Sequence, residues 1–397
     1  MQTDNLFHNL EANWKDKEFL YPNRTVRLAT CFSGIGAIEH AFKRLKLKHE
    51  IVFAGDIDEK CRQSYFANYQ IDKRRWHSDI HDFSALPYKG SVDLLVGGAP
   101  CQAFSMVGKR LGFEDTRGTL FHEFARIIKE CQPKVFIFEN VKGIVSHDKG
   151  RTWQTIKNVF SELGYDIHEQ ILNSKDYGIP QHRERMFCIG FNEKTHFEYP
   201  LPIPLEYEMY DFLEDYISSK YFLKEKGIKF VTSTKNRIKF YTQINGEIQL
   251  CQKRNQQFNW HGDFVFHPAA GEEDYDEFVF EVKDVEEKYY LSDKVARYVL
   301  TPGTKNFKTT IKTDLPIARP LLHTMHKMHR AGVDNYVTHK GRIRKLTPRE
   351  CLRLMGFRDD FKIVVSDTST YQQAGNSIVV DVLIALLKQM DITIYGI

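Results

Sequence analysis

Between Arg24 and Glu193 the chain alternates short apolar runs of strand length with stretches whose apolar residues recur at helical spacing. This alternation constrains the fold more than any other feature. Val26–Cys31 is the first apolar run. A turn with two glycines follows at Ser33-Gly34-Ile35-Gly36, and Ala37, Ile38, Ala41, Phe42 and Leu45 then share one helical face. Glu50–Ala54 reads as a second strand and Glu59–Tyr69 as a second helix. Val92–Val96 and Val135–Phe138 are further strands. Leu120, Phe121, Phe124, Ile127 and Ile128 mark a helix between them, and Trp153, Ile156, Phe160 and Leu163 mark another after them. Met186–Phe191 closes the series. Strands alternating with helices through short connections predict an open parallel sheet covered on both faces. Ligands of such sheets bind outside the C-terminal ends of the strands.

The alternation stops after about Glu193. Pro200, Pro202 and Pro204 break the pattern, and the following residues are rich in Lys, Tyr, Phe and Asn. Strand-like pieces there include Arg237–Tyr241 and Glu277–Val282. Helical texture returns at Thr347–Met355 and Ser377–Met390. We therefore divide the chain into an N-terminal extension (1–24), a large domain in two parts (25–193 and 341–397) and a smaller, irregular, mostly β domain (194–340) inserted between them. A chain with 42% hydrophobic and 27% charged residues is not wholesale disordered. The net charge of +4 permits a polyanionic partner without demanding one. No apolar run approaches the ~18 residues of a membrane span, since Asp381 interrupts Ile378–Leu387. The N-terminus, with Met1, Asp4, His8 and Glu11, lacks the basic-then-apolar order of a signal peptide. The seven cysteines are odd in number and form no C-x-x-C pair, which disfavours a disulfide framework or a zinc knuckle. The expectation is a cytoplasmic protein with reduced thiols, at most one of them a nucleophile.

Six short segments carry chemistry. Phe32-Ser33-Gly34-Ile35-Gly36 follows a strand and opens a helix, where glycines admit close approach to a ligand and the helix N-terminus suits an anion. It lacks the third glycine of a dinucleotide fingerprint, because His40 and Ala41 stand nearby instead. Asp56 ends the second strand and can bind ribose hydroxyls, with Ile57 to pack on a purine. Asp79-Ile80 offers an acceptor for an exocyclic amine; both acids serve equally well as loop caps. Gly97-Gly98-Ala99-Pro100-Cys101 presents a thiol on a rigid loop, a nucleophile if its pKa is lowered and otherwise a structural cysteine. Neighbouring strands would bring Glu139, in Phe138-Glu139-Asn140-Val141, close to Cys101, which makes sense if the acid addresses a ring nitrogen lying between them. In Gln181-His182-Arg183-Glu184-Arg185, strand alternation would put both arginines on one face, suited to an anionic or carbonyl-bearing ligand or simply solvated.

With Gly112-Phe113-Glu114-Asp115-Thr116-Arg117-Gly118, Arg344–Cys351 and Gln373-Ala374-Gly375-Asn376-Ser377 added, these motifs form an ordered set along almost the whole chain. In that order they resemble the DNA cytosine-5-methyltransferase family. The resemblance implies a Rossmann-like methyltransferase fold, a mixed sheet with helices on both faces, plus a smaller, irregular, β-rich target-recognition domain. It implies methyl transfer from S-adenosylmethionine to carbon 5 of a cytosine flipped out of duplex DNA. Cys101 would be the thiolate that adds to carbon 6 and Glu139 would hold ring nitrogen 3. Asn140 would position the loop, and Arg185 would contact the cytosine carbonyl with Arg183 beside it. Phe32, Gly34, Gly36, Asp56, Ile57, Asp79 and Ile80 would cradle the methyl donor, joined by Asn376 and Ser377. Gln102, Ser105, Lys109, Arg110 and Arg117 would touch the DNA, and no resident metal is implied. The segment Leu322–Arg330, rich in His and Met, departs from the glycine-rich recognition loop of many relatives. A zinc site at His323, His326 and His329 is the alternative there.

The compact build resembles bacterial or phage modification enzymes, expected to act as monomers and often paired with a restriction endonuclease on the same site. The nearest rival is an RNA (tRNA) cytosine-5-methyltransferase, which shares Pro100-Cys101-Gln102, Glu139-Asn140-Val141 and the cofactor pocket. The long inserted domain and the intact Gly112–Gly118 segment favour DNA. A regulator that keeps a dead methyltransferase shell is disfavoured by Cys101, Glu139 and Arg185. A nicotinamide oxidoreductase is disfavoured by the incomplete glycine fingerprint.

Overall fold

The structure is a computed structural model that describes residues 13–99, 119–214, 219–220, 242–244, 262–264, 287–300, 313–323, 325–326, 329, 333–339 and 342–397. Two compact units emerge. One comprises Met1–Asn173, Glu184–Pro202 and Ile378–Ile397, and the other Ser174–Arg183 and Ile203–Ser377.

The first unit is a mixed α/β Rossmann-like core. In chain order its elements are β1 (Val26–Cys31), α1 (Ala37–Leu45), β2 (His49–Gly55), α2 (Glu59–Asn68), β3 (Trp76–His77), β4 (Leu94–Gly97), α3 (Leu120–Cys131), β5 (Val135–Val141), α4 (Arg151–Glu162), β6 (Asp166–Asn173) and β7 (Glu184–Phe191). The seven strands lie in the order β3-β2-β1-β4-β5-β7-β6. β1, β2, β4 and β5 are parallel, and Cys31 pairs Gly97, which in turn pairs Phe138. That register sets the loops after β1, β4 and β5 side by side.

The sheet is mixed, as the family resemblance implies, and not wholly parallel as the alternation alone suggested. β7 runs antiparallel to both β5 and β6. The physical reason is the link between β6 and β7, which holds only a short 3-10 turn at Ser174–Tyr177. A parallel return needs a crossover of a dozen or more residues. β3 and β6 escaped the sequence pattern for different reasons. β3 is two residues long. β6, DIHEQILN, is a partly exposed edge strand without an apolar run.

Burial explains the rest. Phe121, Phe124, Phe136, Phe138 and Phe160 are fully buried and pack edge-on or tilted with centroids 4.5–6.4 Å apart. Each such ring contributes roughly 2–3 kcal/mol of apolar burial. The C-terminal helix α8 (Val380–Gln389) packs beside α1, where Arg44 Nη1 and Nη2 grip Asp381 at 2.6 and 2.8 Å.

The second unit is smaller in regular structure. Its described helices of six residues or more are α5 (Asp293–Val299), α6 (Pro348–Arg353) and α7 (Asp367–Asn376). Short strand pairs include the antiparallel ladder of Tyr336–His339 with Arg342–Lys345. α6 starts on a complete capping box: Thr347 accepts from the Glu350 N–H and Glu350 accepts from the Thr347 N–H, with Pro348 at the first position. Arg237–Tyr241 and Glu277–Val282 lie outside the described residues.

Candidate active site

The cofactor end is built from backbone conformations that the sequence dictates. Phe32, Gly34 and Gly36 all have positive φ, at 54°, 54° and 79°. Gly36 is required twice over: its φ is positive, and a Cβ there would lie 2.3 Å from the Tyr69 ring, whose Oη donates to the Gly36 carbonyl at 2.8 Å. At Gly34 the space a Cβ would fill is open. Asp56 accepts the Gly34 N–H at 2.9 Å through one oxygen and the Asp58 N–H at 2.9 Å through the other. Burial pushes its carboxyl above the usual range despite these bonds. Beside it Ile57 is 79% exposed, an apolar face with nothing packed on it among the described residues.

Asp79 accepts the His81 N–H at 3.0 Å and faces the His81 ring Nδ1 at 2.7 Å through one oxygen, which lowers its pKa. Its other oxygen makes no hydrogen bond among the described residues. The Ile80 side chain sits in the core at 6% exposure, so this residue offers a ligand its backbone rather than its side chain. In the second unit Asn376 is exposed at the C-terminal end of α7, and Ser377 is buried. Gly375 before them touches the Leu322–His323 backbone so closely that a Cβ would fall 2.0 Å from the His323 nitrogen. An open glycine cradle, a ribose-level carboxylate, an unburied apolar side chain and a free acceptor oxygen together fit S-adenosylmethionine.

The chemical end lies at the tips of β4, β5 and β7. Gly98 lies against Glu139: a Cβ at Gly98 would be 3.0 Å from both the Glu139 carbonyl oxygen and Oε2. Glu139 is paired with Arg185, Nε to Oε1 at 3.2 Å, with the two side chains 14% and 19% exposed. Buried Asn140 donates its amide to the Ala99 carbonyl at 2.9 Å and accepts the Val141 N–H at 2.9 Å. It thereby fixes the backbone one residue ahead of Pro100. Cys101, Gln102, Ser105, Lys109, Arg110 and Arg117 lie outside the described residues, as does the whole of 100–118.

The Gln181-x-Arg183-x-Arg185 motif divides. Arg183 precedes β7 and is 3% exposed. Its guanidinium donates to the carbonyls of Leu321, Gly375 and Ser377 at 2.9–3.2 Å. It is thus a clamp on backbone, not the second cation of one strand face that alternation suggested, because the strand begins only at Glu184. Fully buried Gln181 donates to the Leu354 carbonyl at 2.8 Å and accepts the Leu321 N–H at 2.9 Å.

Five described cysteines (Cys31, Cys61, Cys131, Cys188 and Cys351) are free and buried. Burial pushes the thiols of Cys31, Cys61 and Cys188 far up, and that of Cys131 up to about 12. Those four cannot supply a thiolate near neutrality. Among the described residues no cluster of three His, Cys, Asp or Glu could hold a metal ion, and no helix is long and apolar enough to cross a membrane.

Two groups were missed from sequence. Glu39 is fully buried inside α1; it accepts from Tyr65 Oη at 2.6 Å and Thr30 Oγ1 at 3.3 Å, and Thr30 Oγ1 lies 2.6 Å from Ser33 Oγ. Ser33 Oγ in turn accepts the Gly55 N–H at 2.8 Å. The signal available was a carboxylate inside the apolar stretch Ala37–Phe42. Arg126, on α3, was the other.

The family model described as C-5 cytosine-specific DNA methylase matches residues 26–391. The chain belongs to that family. This methylase is a C5-cytosine methyltransferase that uses S-adenosylmethionine and a covalent cysteine adduct. It is 34% identical to the Type II methyltransferase M.HpaII of Haemophilus parainfluenzae over 90% of this chain and 87% of that one. It is 32% identical to the Type II methyltransferase M1.ScrFI of Lactococcus lactis subsp. cremoris, over 92% and 77%. Among solved structures, the fold aligns with Schizosaccharomyces (S.) pombe Dnmt2 at a TM-score of 0.59 and 17% identity, covering 92% of this chain and 98% of that one. A putative DNA modification methyltransferase from an E. coli prophage aligns at a TM-score of 0.55 and 20% identity, covering 92% and 98%.

Proposed function

We propose that this C5-cytosine methyltransferase acts on duplex DNA at a defined sequence, as the modification enzyme of a restriction-modification system. In this reading it works as a cytoplasmic monomer, and a restriction endonuclease of the same specificity is its genetic partner. The observation that carries this is the identity of 34% and 32%, over nine-tenths of the chain, to Type II methyltransferases.

A base inside a duplex is out of reach, so the target cytosine is flipped into the site. The Cys101 thiolate then adds its electron pair to carbon 6, and the ring's double-bond electrons become available at carbon 5. Glu139, held against Arg185 at 3.2 Å, hydrogen-bonds ring nitrogen 3 and stabilises its protonation. Arg185 donates to the cytosine carbonyl oxygen, and Asn140 holds Ala99, the residue ahead of the Pro100-Cys101 pair. Bound S-adenosylmethionine supplies the electrophilic methyl group. Loss of the carbon 5 proton to a base then expels the thiolate. Phe32, Gly34, Gly36, Asp56, Ile57 and Asp79 hold the methyl donor, with the backbone at Ile80. Gln102, Ser105, Lys109, Arg110 and Arg117 contact the DNA around the flipped base. The target-recognition domain corresponds to residues 194–340 and reads the sequence.

A second reading, an RNA (tRNA) cytosine-5-methyltransferase, is favoured by the alignment with the Dnmt2 fold over 92% of the chain. Transfer of labelled methyl groups from S-adenosylmethionine to genomic duplex DNA and to total tRNA separates the two. Label in DNA, lost in Cys101→Ser, is the expected result; label in tRNA alone moves the assignment to RNA.

A further inference from the structure

Arg126 sits in the middle of α3, far along the chain from Asp79-Ile80, yet its guanidinium reaches the cofactor end. Nη2 donates to the Ile80 carbonyl at 2.8 Å, Nε to Glu123 at 2.8 Å and Nη1 to Glu130 at 2.7 Å. Glu130 uses its other oxygen to accept the Ala85 N–H at 2.6 Å and Ser84 Oγ at 3.3 Å. The side chains of Arg126, Glu123 and Glu130 are only 22%, 12% and 16% exposed. Helical ion pairs at these spacings stabilise a helix only weakly and need no third partner. Here the third nitrogen and the second carboxylate oxygen both go to the loop after β3, at its start (Ile80) and at its end (Ala85). Between those anchors the Ile80 carbonyl also accepts a long backbone bond from the Phe83 N–H at 3.4 Å.

We propose that Arg126, with Glu130, is the positioning residue that sets the direction of the Asp79 carboxylate and so gives the methylase its selectivity for an adenine ring. The peptide that Arg126 grips is the one following Asp79–Ile80, and the Asp79 oxygen left without a hydrogen bond among the described residues accepts the exocyclic amine of the purine. This rests on the assignment of Asp79 to that amine. Hypoxanthine presents an oxygen at the same place and meets the carboxylate unfavourably. Without Arg126, Glu130 keeps its bonds to Ser84 and Ala85 but loses its cation, and the Ile80 carbonyl loses its charged donor.

The test is calorimetric binding of S-adenosylhomocysteine and of its hypoxanthine counterpart to the full chain. Wild type is expected to prefer the adenine ligand by about tenfold or more, the worth of one hydrogen bond to a charged group. Asp79→Ala and Arg126→Met are both expected to bring the ratio close to one. Arg126→Lys, which keeps a cation near the Ile80 carbonyl, and Glu130→Gln are expected to be intermediate. They serve as the readout if Arg126→Met does not fold. A ratio lost in Asp79→Ala but kept in the Arg126 and Glu130 variants overturns the proposal and leaves the Asp79 assignment standing. A ratio kept in Asp79→Ala overturns the assignment and the proposal with it.

Discussion

At the scale of single residues, the placement of the candidate site residues was legible wherever a short motif follows a strand. Glu139, Asn140, Asp56 and the glycines of Phe32–Gly36 lie at strand ends, as strand-then-motif order requires, and close approaches, of the Tyr69 ring at Gly36 and of the Leu322–His323 backbone at Gly375, explain two glycines. Arg183 was misread because strand alternation was extended one residue too far. Glu39 went unread because a one-dimensional pattern does not reveal that Tyr65 and Thr30 will converge on a buried acid. Burial raises the Glu39 carboxyl to about 7 from an ordinary 4.5. Between those values the native state holds a proton that the unfolded chain has released. The group's contribution is therefore full at low pH, falls as pH rises through about 7, and is flat above. The loss is on the order of 3 kcal/mol. Urea midpoints of wild type and Glu39→Gln at about pH 5 and about pH 8 check this: wild type should lose more stability across that span than the variant, and equal losses would contradict the assignment. Gly98→Ala should lower kcat by about tenfold or more, since displacing a positioned catalytic group by a fraction of an ångström is enough. Circular dichroism should remain native, because the clash falls on the Glu139 carbonyl and Oε2 at the rim of the sheet.

At the scale of elements, periodicity found those that bury a continuous face: β1, β2, β4, β5 and β7, and helices α1 to α4. It missed β3 and β6 because pairing, not local apolarity, makes them strands. β3 is held by Ala54↔Trp76 and Gly55↔His77, and β6 by its whole length against β7. The Arg344–Cys351 motif, met first as a family marker, turns out to carry a helix start. Thr347 accepts the Glu350 N–H at 3.2 Å, and Glu350 also accepts the Glu214 N–H at 2.7 Å. Thr347→Ala should therefore cost about 1 kcal/mol of stability, the usual worth of an N-cap. Thr347→Ser should recover most of it in thermal melts. A neutral Ala substitution would show that the cap is redundant with the buried partners of Glu350.

At the scale of the whole molecule, the mixed sheet follows from one missing crossover helix, and the ends of β1, β4 and β5 bring cofactor loop and chemical loop to one edge of the first unit. Of the seven thiols, the four whose shifts are resolved are all raised by burial, as expected of structural cysteines in a packed core. Residues 194–340 were foreseen only as irregular and β-rich, because short strand pairs carry no long-range sequence pattern; the second unit also takes in the helix at Pro348–Arg353, which the sequence pattern had grouped with the large domain. The central claim is that Cys101 bonds to cytosine during turnover. Duplex DNA from cells grown to incorporate 5-fluorocytosine gives the most direct test, since fluorine at carbon 5 cannot leave as a proton does. Incubated with enzyme and S-adenosylmethionine, it should yield a protein–DNA adduct that survives denaturation, requires the methyl donor and disappears in Cys101→Ser. No such adduct, or one that persists in Cys101→Ser, would contradict the claim.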